Sequence, residues 1–207
     1  MKNYWNNYYK KIKGNLKPTP FSKRCKKILK GFRGKIYDIG CGNGRDTIYF
    51  NRSNFDCYGI DQSAKAIKLN KFRFKKYSKN FIKGNFVNYS FQNSKKKFAL
   101  YSRFTIHSIN KDQEKLFFKR IHKLKNLDYI FIEVRTIYDE LFGIGKKIKK
   151  NAYFTTHYRR FINPPELRNE VKKSFKILEY KVSRGLAVYK NENPRVLRII
   201  GRKRNLK

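Results

Sequence analysis

Apolar and polar positions alternate along this chain in a pattern that predicts strands separated by helices. Short runs rich in β-branched and aromatic residues, typical of buried strands, occupy 36–39, 57–60, 81–82, 98–101 and 129–136. Apolar residues at helical spacing occur in 64–76 and 111–125. Two later runs, 175–189 and 194–203, again predict strands. Strands that alternate with helices predict an α/β protein.

A glycine-rich turn follows the first predicted strand. Asp38, Gly40, Gly42 and Gly44 give the spacing D-x-G-x-G-x-G, and the next strand ends on Asp61. Alternate glycines let a ligand lie against the backbone, and a carboxylate after the second strand can accept hydrogen bonds from a ribose diol. A dinucleotide motif needs one more glycine, three residues after Gly44, where a threonine stands. The turn therefore suits a ligand without pyrophosphate. The alternative is an ordinary αβ unit whose glycines only make turns.

The turn closely resembles the cofactor motif of class I S-adenosylmethionine-dependent methyltransferases. The resemblance implies a Rossmann-like, seven-stranded, mostly parallel sheet with helices on both faces, in which strands 6 and 7 form an antiparallel hairpin. It also implies that Asp38 helps to hold the methionine end of S-adenosylmethionine and that Asp61 holds the ribose. The predicted cofactor-binding residues are Asp38, Gly40, Gly42, Gly44, Asp61, Gln62, Asn85, Phe86 and Ser102.

Two of these assignments concern the adenosine end of the cofactor. Gln62 stands where similar enzymes contact the adenosine. Similar enzymes often have aspartate at the position of Asn85, where it accepts a hydrogen bond from the adenine amino group. Asn85 departs from that pattern, but its amide oxygen can still accept a hydrogen bond, without charge.

Residues 1–34 precede the first strand and are predicted to form a helical arm rich in aromatic residues. In related methyltransferases such an arm often acts as a lid over the cofactor, which makes Tyr9 and Phe21 candidate lid residues. The alternative is that these aromatic residues cap the edge of the sheet. Residues 35–207 are then predicted to be one methyltransferase domain, with an acceptor-side insert at about 137–163.

Basic and titratable residues follow the fourth and fifth predicted strands, at the edge where open α/β sheets bind ligands. Arginines with an adjacent tyrosine suit a phosphate or a carboxylate. The predicted substrate-binding residues are Arg103, Arg135, Tyr158, Arg159 and Arg160. The candidate catalytic residues, as general bases, are His107, Glu133 and His157.

These acceptor-side assignments have structural alternatives. Glu133 and Arg135 can form an ion pair that stabilises the strand end, and His107 can be a helix-face histidine satisfied by its neighbours. The insert can be an ordinary charged surface loop, although long ordered loops in compact domains are usually functional. An acceptor oxygen with a high pKa needs a base, whereas a phosphate or carboxylate oxygen needs none.

Charge and cysteine content bear on the partners and the compartment. The 207 residues carry 52 Lys+Arg against 14 Asp+Glu, a net charge of +38. This charge reflects either a biased composition or a polyanionic partner, which would be nucleic acid, an anionic glycan or an anionic membrane. The even spread of basic residues favours the first reading. Three cysteines without metal-ligand spacing predict free thiols, no metal site and a cytoplasmic location. No apolar run is long enough to predict a membrane span.

The predicted function is S-adenosylmethionine-dependent O-methylation of a small or glycan-linked acceptor that bears a phosphate or carboxylate. One alternative is an RNA methyltransferase that uses the basic surface, although YSRF stands where amino-directed enzymes carry an Asn/Asp-Pro-Pro-Tyr/Phe signature. Another is a catalytically silent nucleic-acid-binding protein on the same fold. Weak, non-specific binding to nucleic acid is expected from the charge alone, and the oligomeric state is left open.

Overall fold

The computed structural model describes residues 4–7, 17–91, 96–189 and 191–204. The strands in these ranges are β1 (Lys35–Ile39), β2 (Asp56–Asp61), β3 (Phe81–Lys83), β4 (Phe98–Arg103), β5 (Leu127–Arg135), β6 (Lys146–Lys149), β7 (Ala152–Phe154), β8 (Tyr158–Arg160), β9 (Phe175–Ser183) and β10 (Val196–Lys203). The α-helices are α1 (Pro20–Ile28), α2 (Arg45–Arg52), α3 (Ala64–Arg73), α4 (Lys111–His122) and α5 (Pro164–Lys172). Residues 4–7 are helical as well.

Seven strands form the central sheet, in the order β3-β2-β1-β4-β5-β10-β9. Pairing is parallel from β3 to β5, and β10 runs antiparallel to both of its neighbours. The predicted Rossmann-like α/β class, with an antiparallel hairpin closing the sheet, is confirmed. The order reverses direction between β1 and β4, and in open α/β sheets such a switch point creates a crevice at the carboxyl ends of the strands.

Local signals in the sequence explain where the helices begin. The Asn110 side chain accepts from the amide of Gln113, whose own side chain accepts in return, a capping box at the start of α4. The Asn163 side chain caps α5 by accepting from the amide of Glu166, and Pro164 lies in the first turn. None of the helices in the described ranges is both long and apolar enough to cross a membrane.

Helices cover both faces of the central sheet. On one face α4 and α5 bury Phe117, Phe118 and Leu167 against apolar strand residues. On the other face α1 and α2 bury Phe21 and Phe50. This packing contradicts the assignment of Phe21 as a lid residue, because its ring is fully buried in the core. The second candidate lid residue, Tyr9, lies outside the described residues.

The insert after β5 has regular structure of its own. Its strands form a small antiparallel sheet in the order β6-β7-β8. Tyr153 of β7 packs its ring edge-on against Phe142, with centroids 5.4 Å apart, and against Phe161 at 6.1 Å. The alternative of an ordinary surface loop is therefore wrong for this segment, which connects β5 to α5 through a packed three-stranded sheet.

Candidate functional site

The glycine turn between β1 and α2 has a backbone that requires glycine. Gly40 and Gly44 have φ angles of 70° and 74°, which residues with side chains rarely adopt. A Cβ atom also has no room, since it would lie 2.4 Å from Thr105 Oγ1 at Gly40 and 2.8 Å from the Phe81 ring at Gly44. The turn leads directly into α2, whose first amides have no partners within the helix and are available to a ligand.

Asp61 ends β2 and fixes the glycine turn. Its Oδ2 accepts a hydrogen bond from the Gly42 amide at 3.0 Å, and its Oδ1 accepts one from the Ser63 amide at 2.8 Å. Burial raises the pKa of the Asp61 carboxyl, and the two amides oppose that shift. Each carboxylate oxygen has a further lone pair, so Asp61 can also accept hydrogen bonds from a ligand diol.

Two adjoining cavities at the carboxyl edge of the sheet share Trp5, Gly40 and Phe104. We call them the small cavity, of about 90 Å³, and the large cavity, of about 470 Å³. Together they form the cleft. Several predicted cofactor residues line it: Asp61, Gln62, Asn85 and Phe86 in the small cavity, Asp38 and Gly42 in the large cavity, and Gly40 in both.

Gly44 and Ser102 are not among the described residues that line the cleft. Gly44 shapes the turn by packing against Phe81. Ser102 lies at the end of β4, opposite Ile39 of β1, and is 1% exposed. Its hydroxyl has no hydrogen-bond partner within the described residues. Their assignment as cofactor-binding residues stays a prediction.

Asp38 lies in β1 just before the turn and is buried. Thr47 Oγ1 of α2 donates a hydrogen bond to its Oδ2 at 2.6 Å. Burial, assisted by the negative charge of Asp46, raises the pKa of Asp38 to about 7. Because Asp38 lines the large cavity, a cationic ligand there would favour its ionised form.

Asp46 is a residue of the cleft that the sequence analysis missed. It lines the large cavity and accepts hydrogen bonds from the Thr19 amide at 2.9 Å, the Thr19 hydroxyl at 2.9 Å and the Tyr101 hydroxyl at 2.8 Å. These contacts connect the start of α1, strand β4 and the first turn of α2. One feature of the sequence could have identified Asp46: it is an acidic residue in the first helical turn after the glycines, where the helix dipole favours negative charge.

Three predicted substrate-binding arginines meet in the large cavity. Arg103 at the end of β4, Arg135 at the end of β5 and Arg159 of β8 all line it. Phe104 lies close to the first two, with its ring centroid 4.3 Å from the guanidinium carbon of Arg103 and 5.8 Å from that of Arg135. The structure therefore gathers three guanidinium groups beside the glycine turn.

Carboxylates hold two of these arginines in place. Arg103 Nε is 2.8 Å from Glu133 Oε1. Arg135 Nη1 is 3.0 Å from Asp139 Oδ1, and its Nη2 pairs with Glu192. These ion pairs fix the two side chains at the strand ends and compensate part of their charge.

Arg159 has different surroundings. Its Nη2 is 3.1 Å from Nε2 of the His157 ring, and its buried Nε has no hydrogen-bond partner among the described residues. Burial, followed by the positive charge of Arg135, lowers the pKa of Arg159. A buried donor without a partner is costly, so this guanidinium is suited to an anion in the cavity.

The position of Glu133 contradicts its assignment as a general base. The side chain is fully buried, with Oε1 paired to Arg103 and Oε2 2.6 Å from Arg198 Nε. The predicted alternative, an ion pair with Arg135, is also not formed. The register explains the pairing, because Glu133 lies opposite Arg103 in β4 and opposite Arg198 in β10. Both carboxylate oxygens are thus occupied within a row that crosses three strands.

The predicted substrate contacts of Tyr158 and Arg160 are contradicted by strand alternation. Successive side chains of β8 point to opposite faces, so Arg159 lines the cavity and its two neighbours do not. Arg160 is buried, pairs with Glu114 of α4 and donates to the Ile109 carbonyl at 3.0 Å. It anchors β8 to α4.

The candidate catalytic histidines both line the large cavity. Burial and the charge of Arg159 lower the pKa of His107 well below its usual value, and its Nδ1 has no partner in the described part of the chain. The same two causes lower the pKa of His157 to about 4. Both rings are therefore neutral at neutral pH, and such low pKa values make them weak bases.

The helical residues 4–7 cover part of the cleft. Tyr4 stacks on the His157 ring with centroids 4.7 Å apart. Asn6 Oδ1 accepts a hydrogen bond from Ser63 Oγ at 2.7 Å, at the start of α3. A lid function for the whole arm stays a prediction.

Comparison with known proteins gives one family and many solved structures. Residues 36–126 match the family model of a methyltransferase domain. No curated protein matches the sequence significantly. A S-adenosylmethionine-dependent methyltransferase from Clostridium acetobutylicum aligns with a TM-score of 0.69 at 14% identity, over 97% of this chain and 98% of that chain.

Two further solved structures extend the comparison. The glycopeptide N-methyltransferase MtfA, complexed with S-adenosylmethionine, aligns with a TM-score of 0.65 at 9% identity, over 91% of this chain and 95% of that chain. The PH0226 protein of Pyrococcus horikoshii aligns with a TM-score of 0.67 at 16% identity, over 96% and 99%. At these identities the similarity shows the fold. The predicted resemblance is confirmed: residues 36–126 match a methyltransferase domain, and the chain has the fold of the solved S-adenosylmethionine-dependent methyltransferases.

Proposed function

We propose that this methyltransferase transfers the methyl group of S-adenosylmethionine to an oxygen of a small or glycan-linked acceptor that bears a phosphate or carboxylate. The observation that carries the proposal is the meeting of Arg103, Arg135 and Arg159 in the cavity that also contains Asp38 and the glycine turn. S-adenosylmethionine supplies an electrophilic methyl group on a positively charged sulfur. The protein has to align the acceptor oxygen behind that methyl group.

The residues of the cleft fit the two ends of this cosubstrate. We assign the ribose to Asp61 and the adenine to the small cavity, where Asn85 and Phe86 lie. Asn85 Oδ1 already accepts from the Val87 amide at 3.1 Å, so its remaining lone pair is the one available to adenine. Asp38, buried beside the large cavity, is suited to the ammonium group of the methionine end.

The charges of the large cavity favour an anionic acceptor. Three guanidinium groups near a sulfonium repel it unless an anion lies among them. Arg159 has an unpartnered buried Nε, which an acceptor oxygen would satisfy. The histidines also favour an anionic acceptor. With a pKa of about 4, His157 is too weak a base to remove a hydroxyl proton efficiently. Phosphate and carboxylate oxygens are already ionised at neutral pH and need no base.

Affinity for S-adenosylmethionine is expected to fall as the pH decreases through about 7, because protonated Asp38 no longer attracts the ammonium group. From about pH 8 to pH 6 the loss should approach tenfold, which calorimetry across this window would measure. Asp38→Asn should give weak, pH-independent binding over the same range. If the wild-type affinity did not change with pH, the assignment of the ammonium group to Asp38 would be contradicted.

The raised pKa of Asp38 also affects the stability of the ligand-free protein, which decreases as the pH rises, whereas cosubstrate affinity increases. The folded state holds a proton on Asp38 between the ordinary pKa of 3.8 and about 7, where the unfolded chain has released it. The contribution of Asp38 to stability is therefore fully present below pH 3.8 and is lost as the pH rises to about 7. Cosubstrate binding should offset this loss, because it favours the ionised carboxyl.

Arg159→Ala is expected to leave S-adenosylmethionine affinity nearly unchanged. It should reduce kcat/KM for the acceptor by about 30- to 150-fold, because a charge-assisted contact to the acceptor is lost. Labelled methyl transfer to a panel of sugar phosphates, uronic acids and their neutral counterparts would identify an acceptor and measure the effect. Arg184→Ala is the matched control, because Arg184 pairs with Glu140 at the exposed surface.

Two results would contradict an anionic acceptor. One is faster transfer to the neutral members of the panel. The other is an Arg159→Ala substitution that weakens S-adenosylmethionine binding as much as it reduces turnover. Arg159 would then contact S-adenosylmethionine and not the acceptor.

RNA is a second candidate acceptor. A groove between α1 and the end of α2, which we call the basic groove, lies at the amino edge of the sheet, opposite the cleft. The described residues that line it include no acid; its cationic and aromatic members are Lys23, Lys26, Lys27, Lys30, Arg33, Phe32, Tyr49 and Phe55. Binding to one RNA that persists from about 50 to 200 mM salt would favour this acceptor, because non-specific binding is lost over that range. RNA binding without methyl transfer would indicate a silent binding protein.

A further inference from the structure

The hairpin formed by β6 and β7 carries exposed apolar side chains among lysines. Ile144, Ile148 and Phe154 are 51%, 45% and 48% exposed. Four exposed lysines surround them, Lys146, Lys147, Lys149 and Lys150. We call these seven residues the hairpin surface. The sequence from 141 to 165 contains no acidic residue.

The register shows that the hairpin has two different faces. Lys146 lies opposite Phe154, so these two side chains share one side of the small sheet. The register shifts between Lys147 and Lys149, and Ile148, which lies between them, is exposed. The other side contains Tyr153, which is buried, and opposite it in β8 lies Arg159, which lines the large cavity. One face of the small sheet therefore belongs to the cleft, and the other is open to solvent at the end where Lys146 and Phe154 lie.

This combination is suited to the interface of a lipid bilayer. Exposed apolar clusters rimmed by polar groups mark interaction sites rather than ordinary surface. Lysine ammonium groups can reach anionic headgroups while neighbouring aliphatic side chains enter the boundary with the acyl chains. A nucleic acid would be recognised by stacking on aromatic rings, and among the three exposed apolar residues of the hairpin surface only Phe154 has one.

We propose that the hairpin surface docks the protein on an anionic lipid bilayer. Docking would hold the cleft next to the membrane, because Arg159 lies in the strand that pairs with β7. The proposal does not depend on the identity of the methyl acceptor.

Sedimentation with vesicles tests the proposal. With phosphatidylcholine and phosphatidylglycerol at about three to one, the wild-type protein should bind, and it should not bind to phosphatidylcholine alone. Replacing both Ile148→Ser and Phe154→Ser should lower the partition coefficient at least about tenfold, because two half-exposed apolar side chains no longer enter the interface. Replacing the four hairpin lysines by glutamine should lower it more than a hundredfold, at about fivefold for each charge.

The basic groove supplies the matched control for charge. Replacing Lys23, Lys26, Lys27 and Lys30 by glutamine removes the same number of charges from the opposite edge of the sheet. This variant should bind vesicles within about threefold of the wild type, since its lysines are away from the docked hairpin. Retained S-adenosylmethionine binding in each variant would show that the fold is intact.

Three results would overturn the proposal. Equal losses from the two lysine variants would mean that net charge, and not the hairpin, attracts the vesicles. Unchanged binding of the Ile148→Ser and Phe154→Ser double variant would mean that no apolar side chain enters the bilayer. Weaker binding of that double variant to a single-stranded RNA, with vesicle binding unaffected, would make the hairpin a nucleic-acid surface.

Discussion

Replacing Glu133 with alanine is expected to destabilise the protein by about 3–5 kcal/mol, because Arg103 and Arg198 would lose the carboxylate that they share. Glu133 is fully buried, so water cannot take its place easily. Urea unfolding followed by circular dichroism would measure the change in the free energy of unfolding. A fall in melting temperature of roughly 10 °C is the corresponding thermal effect.

Glu140→Ala provides the control for this prediction. Glu140 pairs with Arg184 at the exposed surface, and loss of such a pair costs up to about 1 kcal/mol. A second variant separates structure from catalysis. If Glu133→Gln kept full stability but abolished methyl transfer, Glu133 would be a general base after all, and its structural assignment would fail.

Asp61→Ala is expected to weaken binding of S-adenosylmethionine and of its demethylated product by about 2–3 kcal/mol, or roughly 30- to 150-fold. The carboxylate is assigned to the ribose, and it also holds the Gly42 amide in the glycine turn. Calorimetry gives the affinities, and the free energy of unfolding measured in parallel separates loss of the turn from loss of the ribose contact.

The matched control lies at the other end of the same strand. Asp56 begins β2 and is exposed, so Asp56→Ala removes an equal charge far from the cleft and should leave both affinities unchanged. Wild-type protein that gave no heat with either ligand would contradict the assignment of the cofactor residues, whatever the variants did.

The sequence predicted the cofactor side of the cleft well because its signals are local. Asp38, the glycines and Asp61 lie within one βαβ unit, and the spacing alone determines where they meet. The conformation of Gly40 and Gly44 is likewise a property of single residues. Asp46 was missed because its partners, Thr19 and Tyr101, come from distant parts of the chain.

The acceptor side was harder to predict because it depends on register. A shift of one residue along β8 exchanges Arg159, which lines the cavity, for Arg160, which is buried against Glu114. The role of Glu133 depends on β10, which brings Arg198 opposite it from 65 residues away. Neither arrangement leaves a periodic signal in the sequence.

The position of Trp5 gives the protein an optical property. The chain has one tryptophan, and that residue lines both cavities of the cleft, with its ring centroid 5.4 Å from that of His157. Fluorescence excited selectively at tryptophan therefore comes from a single indole beside the ligand site. A molecule that enters the cleft, or a movement of residues 4–7 away from it, changes the polarity around that indole and so the wavelength of its emission. The unlabelled protein thus contains its own spectroscopic reporter of ligand binding.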